Sequence, residues 1–224
     1  MVEKLYNFRF EIFFLSLLSI LFGGIFFPDF FFKTVLTPIL FLINIATGVI
    51  LISKNKGLMR FFMLLLAIVL LIYFHFLFVK YENENYEFIR LAIYFIFYLI
   101  VTYELIKQVW QATFVSKNVI IGVMCGYFCL GLIGFFIFVA VEMLHPGSFN
   151  GIVNSKDAID EESLLYYSYV TLLSIGYGEI TPITIFARKA SLLTGFLGQF
   201  YMVILTAVIV GKYINQAEKK KRLD

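Results

Sequence analysis

Residues 171–182 read Thr-Leu-Leu-Ser-Ile-Gly-Tyr-Gly-Glu-Ile-Thr-Pro, and they lie between two strongly apolar stretches. At the centre of this segment Gly176 and Gly178 flank a tyrosine, and Ser174 stands two residues before the first glycine. An extended strand alternates the direction of its carbonyls, whereas glycine reaches positive φ at little cost. The two glycines therefore allow the carbonyls of this loop to point at one axis, where they can replace the water shell of a cation.

The segment resembles the selectivity filter of tetrameric potassium channels, which is usually written T-x-G-Y-G. The likeness extends beyond the filter, because residues 165–168 read Leu-Tyr-Tyr-Ser where the family often has Leu-Trp-Trp-Ser, and Pro182 closes the segment. A bare Gly-Tyr-Gly is a weak signal, but the whole pattern between two apolar helices is specific. The alternative interpretation is an ordinary glycine-rich turn between membrane helices.

The resemblance implies an ion-binding set of residues and a supporting set around it. The ion-binding set, with potassium at the first four, is Ser174, Ile175, Gly176, Tyr177 and Gly178. The supporting set is Thr171, Tyr166, Tyr167 and Glu179, the last at the family's usual aspartate position. We expect the two supporting tyrosines, which replace tryptophans, to form part of an aromatic cuff around Tyr177. Their hydroxyl groups alter the hydrogen bonding, so the contact to Glu179 is left open.

The composition predicts an all-α integral membrane protein. The 224 residues are 61% hydrophobic and 15% charged, with 28 Phe and 14 Tyr, and a soluble chain of this length would carry far more charge. The acids and histidines have no catalytic spacing, and no phosphate-binding loop is present. We therefore expect no enzyme activity and no cofactor other than potassium as the permeant ion.

The hydropathy pattern predicts six transmembrane helices and a short re-entrant pore helix before the filter loop. The six spans cover roughly residues 8–27, 34–52, 58–79, 88–107, 119–143 and 185–213. This pattern divides the chain into a peripheral four-helix unit at 1–110, an amphipathic connector at 111–118, a pore domain at 119–216 and a basic tail at 217–224.

Basic residues predict the orientation in the membrane. Lys54, Lys56 and Arg60 follow the second span, the connector region has Lys107 and Lys117, and the tail is basic. Six spans place all of these on one side, which the positive-inside rule assigns to the cytoplasm. We therefore expect a multi-pass protein of the plasma membrane with both termini cytoplasmic.

The fourth span lacks the charges of a voltage sensor. A sensor needs arginine at every third residue, because each charge moved contributes about 2.3 kcal/mol per 100 mV. Here Arg90 lies at the outer end, and residues 91–106 contain only Glu104 as a charge. We expect a channel that is not gated by voltage in the standard way.

One chain supplies one filter loop, whereas selective coordination needs rings of carbonyls from four loops. The sequence therefore predicts a homotetramer that conducts potassium passively. A weakly selective cation channel and a non-conducting regulatory subunit are the alternatives. Membrane lipids are the other expected partners, with anionic lipid at the basic tail, and no nucleic acid is expected.

Two further features concern gating and the outer mouth. Gly198 lies 20 residues after the last filter glycine, the spacing at which the resembling channels have a hinge in the inner helix, whereas glycines of the fifth span suit close helix packing. Before the pore helix, acids outnumber the one base, Lys156. In a fourfold assembly these acids form a negative ring, and they also suit the positive start of a helix. The acids are Asp157, Asp160, Glu161 and Glu162.

Overall fold

The computed structural model describes residues 6–53, 55–79, 84–152 and 159–221. The longer α-helices within these ranges are α1 (Arg9–Phe22), α2 (Thr37–Leu51), α3 (Lys56–Val79), α4 (Glu84–Gln111), α5 (Lys117–Leu144), α6 (Glu161–Leu172) and α7 (Ile185–Lys221), and a single helical turn covers Asp29–Phe31. Two short strands, β1 (Phe149–Asn150) and β2 (Thr181–Pro182), pair antiparallel. Lys54, Lys156, Asp157 and Arg222, which carried parts of the charge argument, lie outside the described residues.

The chain divides into two compact units. One comprises Met1–Ile106 with Lys117–Cys125, and the other comprises Lys107–Ser116 with Gly126–Asp224. The turn between α4 and α5 is shorter than the sequence indicates, since only residues 112–116 are outside the helices. Gln111 and Lys117, at or near the two ends of the predicted connector, are good helix formers, so α4 continues to Gln111 and α5 begins at Lys117.

In the first unit, the first two spans agree with their predicted ranges. α1 continues as a 3-10 turn over Gly23–Phe26 and ends before Pro28, while a π-helical turn over Phe32–Leu36 leads into α2. α2 carries Gly48 against the ring of Phe97, where a side chain would collide. Burial of apolar residues on one side of each helix accounts for this packing.

A buried network of uncharged polar groups joins α1, α2 and α4. Asn44 is fully buried, and its side-chain amide donates to the Ser16 hydroxyl at 2.8 Å. The Tyr98 hydroxyl donates to the amide oxygen of Asn44 at 2.8 Å, and Thr47 shares a 3.1 Å hydrogen bond with Ser16. Polar groups in an apolar interior need such partners, so the network fixes how these three helices meet.

Five helical stretches of the described residues are long and apolar enough to cross a membrane. They are Arg9–Phe26, Phe32–Leu51, Glu87–Gln111, Lys117–Leu144 and Ile185–Glu218. The chain is thus a helical membrane protein. The third predicted span is helical over Lys56–Val79 but is not one of these five, so six spans stay a prediction.

The second unit contains the glycine-rich segment at residues 171–182. α6 lies in sequence between α5 and α7, and the loop 173–180 follows it. β2 closes this loop and pairs with β1, which follows the end of α5, with Phe149 opposite Pro182 and Asn150 opposite Thr181. This pairing holds the C-terminal end of the loop.

Candidate functional site

α6 begins with a side-chain cap. One carboxylate oxygen of Asp160 accepts from the Ser163 amide at 3.3 Å, and the other accepts from the Ser163 hydroxyl at 2.5 Å. Glu161 and Glu162 follow in the first turn, where negative charge stabilises the helix. The capping role expected for the acids is therefore confirmed for Asp160.

The backbone of the loop alternates in the sign of φ. Gly176 has φ +57° and Gly178 has φ +93°, which confirms the positive φ predicted for both. Ser174 also has a positive φ, +56°, although it is not glycine. Ile175 and Tyr177, between these three, do not have positive φ. A backbone that alternates in this way can direct successive carbonyls to one side, unlike a strand.

The loop leaves α6 without a break in its hydrogen bonding. The Ser174 amide donates to the carbonyl of Thr171 at 3.0 Å, and the Ile175 amide donates to the carbonyl of Val170 at 3.0 Å. Carbonyls at the end of a helix have no partner within it, so these bonds also satisfy the terminus of α6. The position of the loop is therefore set by the end of α6.

Tyr166 contacts the acid at the far end of the loop. Its phenol hydrogen-bonds to the Glu179 carboxylate, and this bond raises the pKa of Tyr166 to about 12. A carboxylate that accepts a hydrogen bond from the phenol stabilises the neutral phenol and repels the phenolate. The contact left open by the sequence is therefore made, between two residues that are well separated in the chain.

Tyr167 packs among aromatic residues of its own chain. It is buried, with its ring 5.0 Å from that of Phe138 and 5.4 Å from that of Phe149. Its hydroxyl shares a 2.8 Å hydrogen bond with Ser191 of α7. Within one chain Tyr167 thus joins α6 to α5, β1 and α7, because a phenol needs a polar partner when buried. A cuff around Tyr177 stays a prediction.

Side chains of α6 pack against glycines of α5. A side chain at Gly131 would collide with the ring of Tyr169, and one at Gly134 would meet Ser168. The Tyr169 hydroxyl donates to the carbonyl of Phe128 at 2.7 Å, and the Ser168 hydroxyl donates to that of Gly131. The prediction of close packing through these two glycines is confirmed.

Gly198 lies where the backbone of α6 approaches α7. A side chain at this position would collide with the carbonyl oxygen of Leu172, whereas one at Gly195 would lie 3.9 Å from the carbonyl of Thr171. α7 runs unbroken through residue 198. The close approach is a sufficient reason for glycine here, and the hinge stays a prediction.

The turn after α5 is held by a buried carboxylate. Glu142 accepts from the amide of Gly147 at 2.7 Å and from that of Ser148 at 2.9 Å. The Ser148 carbonyl in turn accepts from the Ile183 amide at 2.8 Å. Through these bonds the end of α5 is tied to the segment that follows the filter-like loop.

α7 carries two hydrogen-bonding side chains near its C-terminal end. The Lys212 ammonium donates to three carbonyls, those of Val109 at 3.0 Å, Trp110 at 2.6 Å and Ala112 at 2.8 Å. The Gln216 side-chain oxygen accepts from the Val115 amide at 3.0 Å. This end of α7 is therefore fixed to residues 109–115.

Sequence reasoning missed three residues that act around the loop and at the end of α4. Gln199 donates from its side-chain amide to the Ser174 hydroxyl at 2.8 Å. Ser191 bonds Tyr167, and Lys212 caps the end of α4. Their common signal is a polar side chain within the otherwise apolar α7. Such side chains are costly among apolar groups unless they find partners.

One comparison with known proteins gives a match. Residues 122–215 match the family model described as "Ion channel", a stretch somewhat shorter than half of the chain. No curated protein and no solved structure matches the chain. The matched stretch contains most of α5, all of α6, the loop and most of α7. The apolar helices indicate a membrane protein, and residues 122–215 are similar to the ion channel family.

Proposed function

We propose that the protein is a potassium-selective channel subunit whose filter is the loop Ser174–Gly178. The observation that carries the proposal is the alternation of φ at Ser174, Gly176 and Gly178. The loop lies within residues 122–215, which are similar to the ion channel family. Successive carbonyls directed to one axis can replace the hydration shell of a potassium ion.

The position of α6 favours a cation beside the loop. Its C-terminal end, at Leu172, lies two residues before Ser174. The carbonyl end of a helix carries a partial negative charge. A cation near Ser174 would therefore be stabilised by this helix end and by the serine hydroxyl.

Exposure of the loop in a single chain supports assembly as a homotetramer. Tyr177 is 72% exposed and Ile175 is 47% exposed. Large apolar side chains that lie together and are exposed usually mark a contact surface. Three further copies of the loop around one axis would complete the rings of carbonyls and cover these side chains.

Gating that does not depend on a voltage sensor is supported by the interior of the first unit. The buried side chains of α4 include Tyr94, Phe97 and Tyr98, none of them charged. A sensor helix would present arginines instead. The uncharged network around Asn44 offers no charge for the membrane field to move.

The remaining parts of the proposal concern placement. We place both termini in the cytoplasm of a plasma-membrane protein, because the basic segments then lie inside. The basic tail at 219–222 would contact anionic lipid there.

The test is ion flux from liposomes that hold the purified protein, with potassium inside and sodium outside. We expect rapid potassium efflux that barium blocks and that Gly176→Ala abolishes. The matched control is Gly147→Ala, because Gly147 also has positive φ, +79°, and an added methyl group would meet free space at both glycines. Both variants carry the same backbone strain of about 1–2 kcal/mol, so only loss confined to Gly176→Ala assigns conduction to the loop.

The alternatives give different results in the same assay. Equal fluxes of sodium and potassium would show a weakly selective cation channel. Absence of any flux, at all voltages and pH values tested, from a protein proven tetrameric would contradict conduction and favour a regulatory subunit.

A further inference from the structure

We propose that Gln199 is a positioning residue for the innermost cation site of the loop, acting through the hydroxyl of Ser174. This inference rests on the proposed function. Its starting observation is the hydrogen bond of 2.8 Å from the Gln199 side-chain nitrogen to the Ser174 hydroxyl oxygen. The bond joins α7 to the first residue of the proposed filter across 25 positions of the chain.

Ser174 needs an external constraint to present its oxygen in one direction. Its φ of +56° is a conformation that residues other than glycine rarely adopt. A hydroxyl also rotates freely unless a partner fixes it. A strained backbone and a freely rotating hydroxyl would leave the serine oxygen without a fixed position for binding a cation.

The bond from Gln199 orients the serine oxygen. A hydroxyl oxygen has two lone pairs and one hydrogen. When one lone pair accepts the amide hydrogen of Gln199, the second remains available to a cation. The amide also disfavours rotamers that would turn the oxygen away, since it would then lose its own partner. Through this bond Gln199 makes Ser174 present an oxygen lone pair, and not its hydroxyl hydrogen, to a nearby ion.

Both residues are accessible to an ion. Ser174 and Gln199 line one open cavity of about 580 Å³, whose wall also includes Ser191, Arg188 and several apolar residues. Both are exposed to this cavity within the single chain, so a cation can reach the serine oxygen. A neutral amide, unlike a lysine, orients the hydroxyl without repelling a cation.

The test measures block by barium applied from the cytoplasmic side of the reconstituted channel. Barium is close to potassium in size and carries twice its charge, so it reports the affinity of sites in the loop while potassium flux reports conduction. The variant is Gln199→Met, which keeps the length of the side chain and removes the donor. Gln199→Leu serves as a second variant if the first fails to assemble.

We expect Gln199→Met to weaken barium block about tenfold, the effect of about one hydrogen bond, while potassium efflux persists. Ser174→Ala should weaken the block at least as much. The double variant Gln199→Met with Ser174→Ala should be blocked to the same extent as Ser174→Ala alone, because the two residues act through one oxygen. Gln216→Met, on the same helix but bonded to Val115, is the matched control and should leave the block unchanged.

Other outcomes separate the two proposals. If the parent protein shows barium-sensitive potassium flux and Gln199→Met is blocked as the parent is, the positioning role is wrong and the proposed function stands. Additive effects of the two single changes would also overturn the positioning role. If the parent shows no potassium flux, the proposed function fails, and this inference fails with it.

Discussion

Lys212 donates a hydrogen bond of 2.6 Å from its ammonium group to the backbone carbonyl of Trp110. The same group bonds the carbonyls of Val109 and Ala112, so one side chain satisfies three acceptors at the end of α4. The last carbonyls of a helix lack partners within it, and a cation is favoured there. Lys212 thereby links the C-terminal end of α7 to the turn before α5.

Replacement of Lys212 by methionine should lower the stability of the protein. The change removes three hydrogen bonds to a charged donor and leaves the carbonyls without it, at a cost of about 1.5–3 kcal/mol. We expect a lower midpoint in thermal unfolding of the detergent-solubilised protein. Lys189→Met is the control, since Lys189 is exposed on the same helix. Equal midpoints for the two variants would contradict the capping role.

Gly198→Ala should disturb the loop even if α7 never bends. The added methyl group would collide with the Leu172 carbonyl, at the end of the helix that positions Ser174. Gly195→Ala is the matched control, because its methyl group has room and alanine gains about 1 kcal/mol of helix propensity over glycine. We expect lower thermal stability and weaker barium block for Gly198→Ala alone.

The hinge hypothesis gives a different outcome for the same pair. A hinge role without the close approach would leave the unfolding midpoint and barium block of Gly198→Ala at parent values, and only the open probability would change. Single-channel recording alongside the thermal measurement separates the two explanations.

Loss of the Glu142 carboxylate should loosen the turn after α5. Glu142→Gln keeps one acceptor oxygen but turns an N–H₂ group towards one of the two amides, those of Gly147 and Ser148. We expect faster proteolytic cleavage within residues 145–152 and a lower unfolding midpoint. Glu218→Gln, a change of an exposed acid on α7, should leave both unchanged. Unaltered cleavage in Glu142→Gln would show that the turn does not depend on the carboxylate.

The parts of this site that the sequence predicts are those with local causes. Positive φ at Gly176 and Gly178 follows from the residue type, and the start of α6 follows from Asp160 and the acids after it. Close packing at Gly131 follows from small residues on an apolar helix. Each of these needs only a short stretch of chain and one physical rule.

The parts that the sequence missed depend on contacts between distant segments. Positive φ at Ser174 runs against the preference of serine and occurs beside the amide of Gln199, 25 residues later. Burial of Tyr167 against Phe138 and Phe149 likewise needs the arrangement of α5 and β1. Local sequence does not identify such pairs, because the hydropathy of α7 does not indicate which of its polar residues contacts the loop.

Titration of Tyr166 gives a test that needs no ion flux. The bond to Glu179 raises its pKa to about 12, above the ordinary value of about 10. A raised pKa means that the folded state holds the proton more tightly, so the stabilising contribution is complete below about pH 10 and is lost as the pH rises through about 12. The difference in phenolate absorbance between the parent and Tyr166→Phe isolates this one residue, and we expect its midpoint near pH 12. In Glu179→Gln the same difference should move towards pH 10, because the amide cannot repel the phenolate. A midpoint near pH 10 in the parent would show that the contact between Tyr166 and Glu179 is not made.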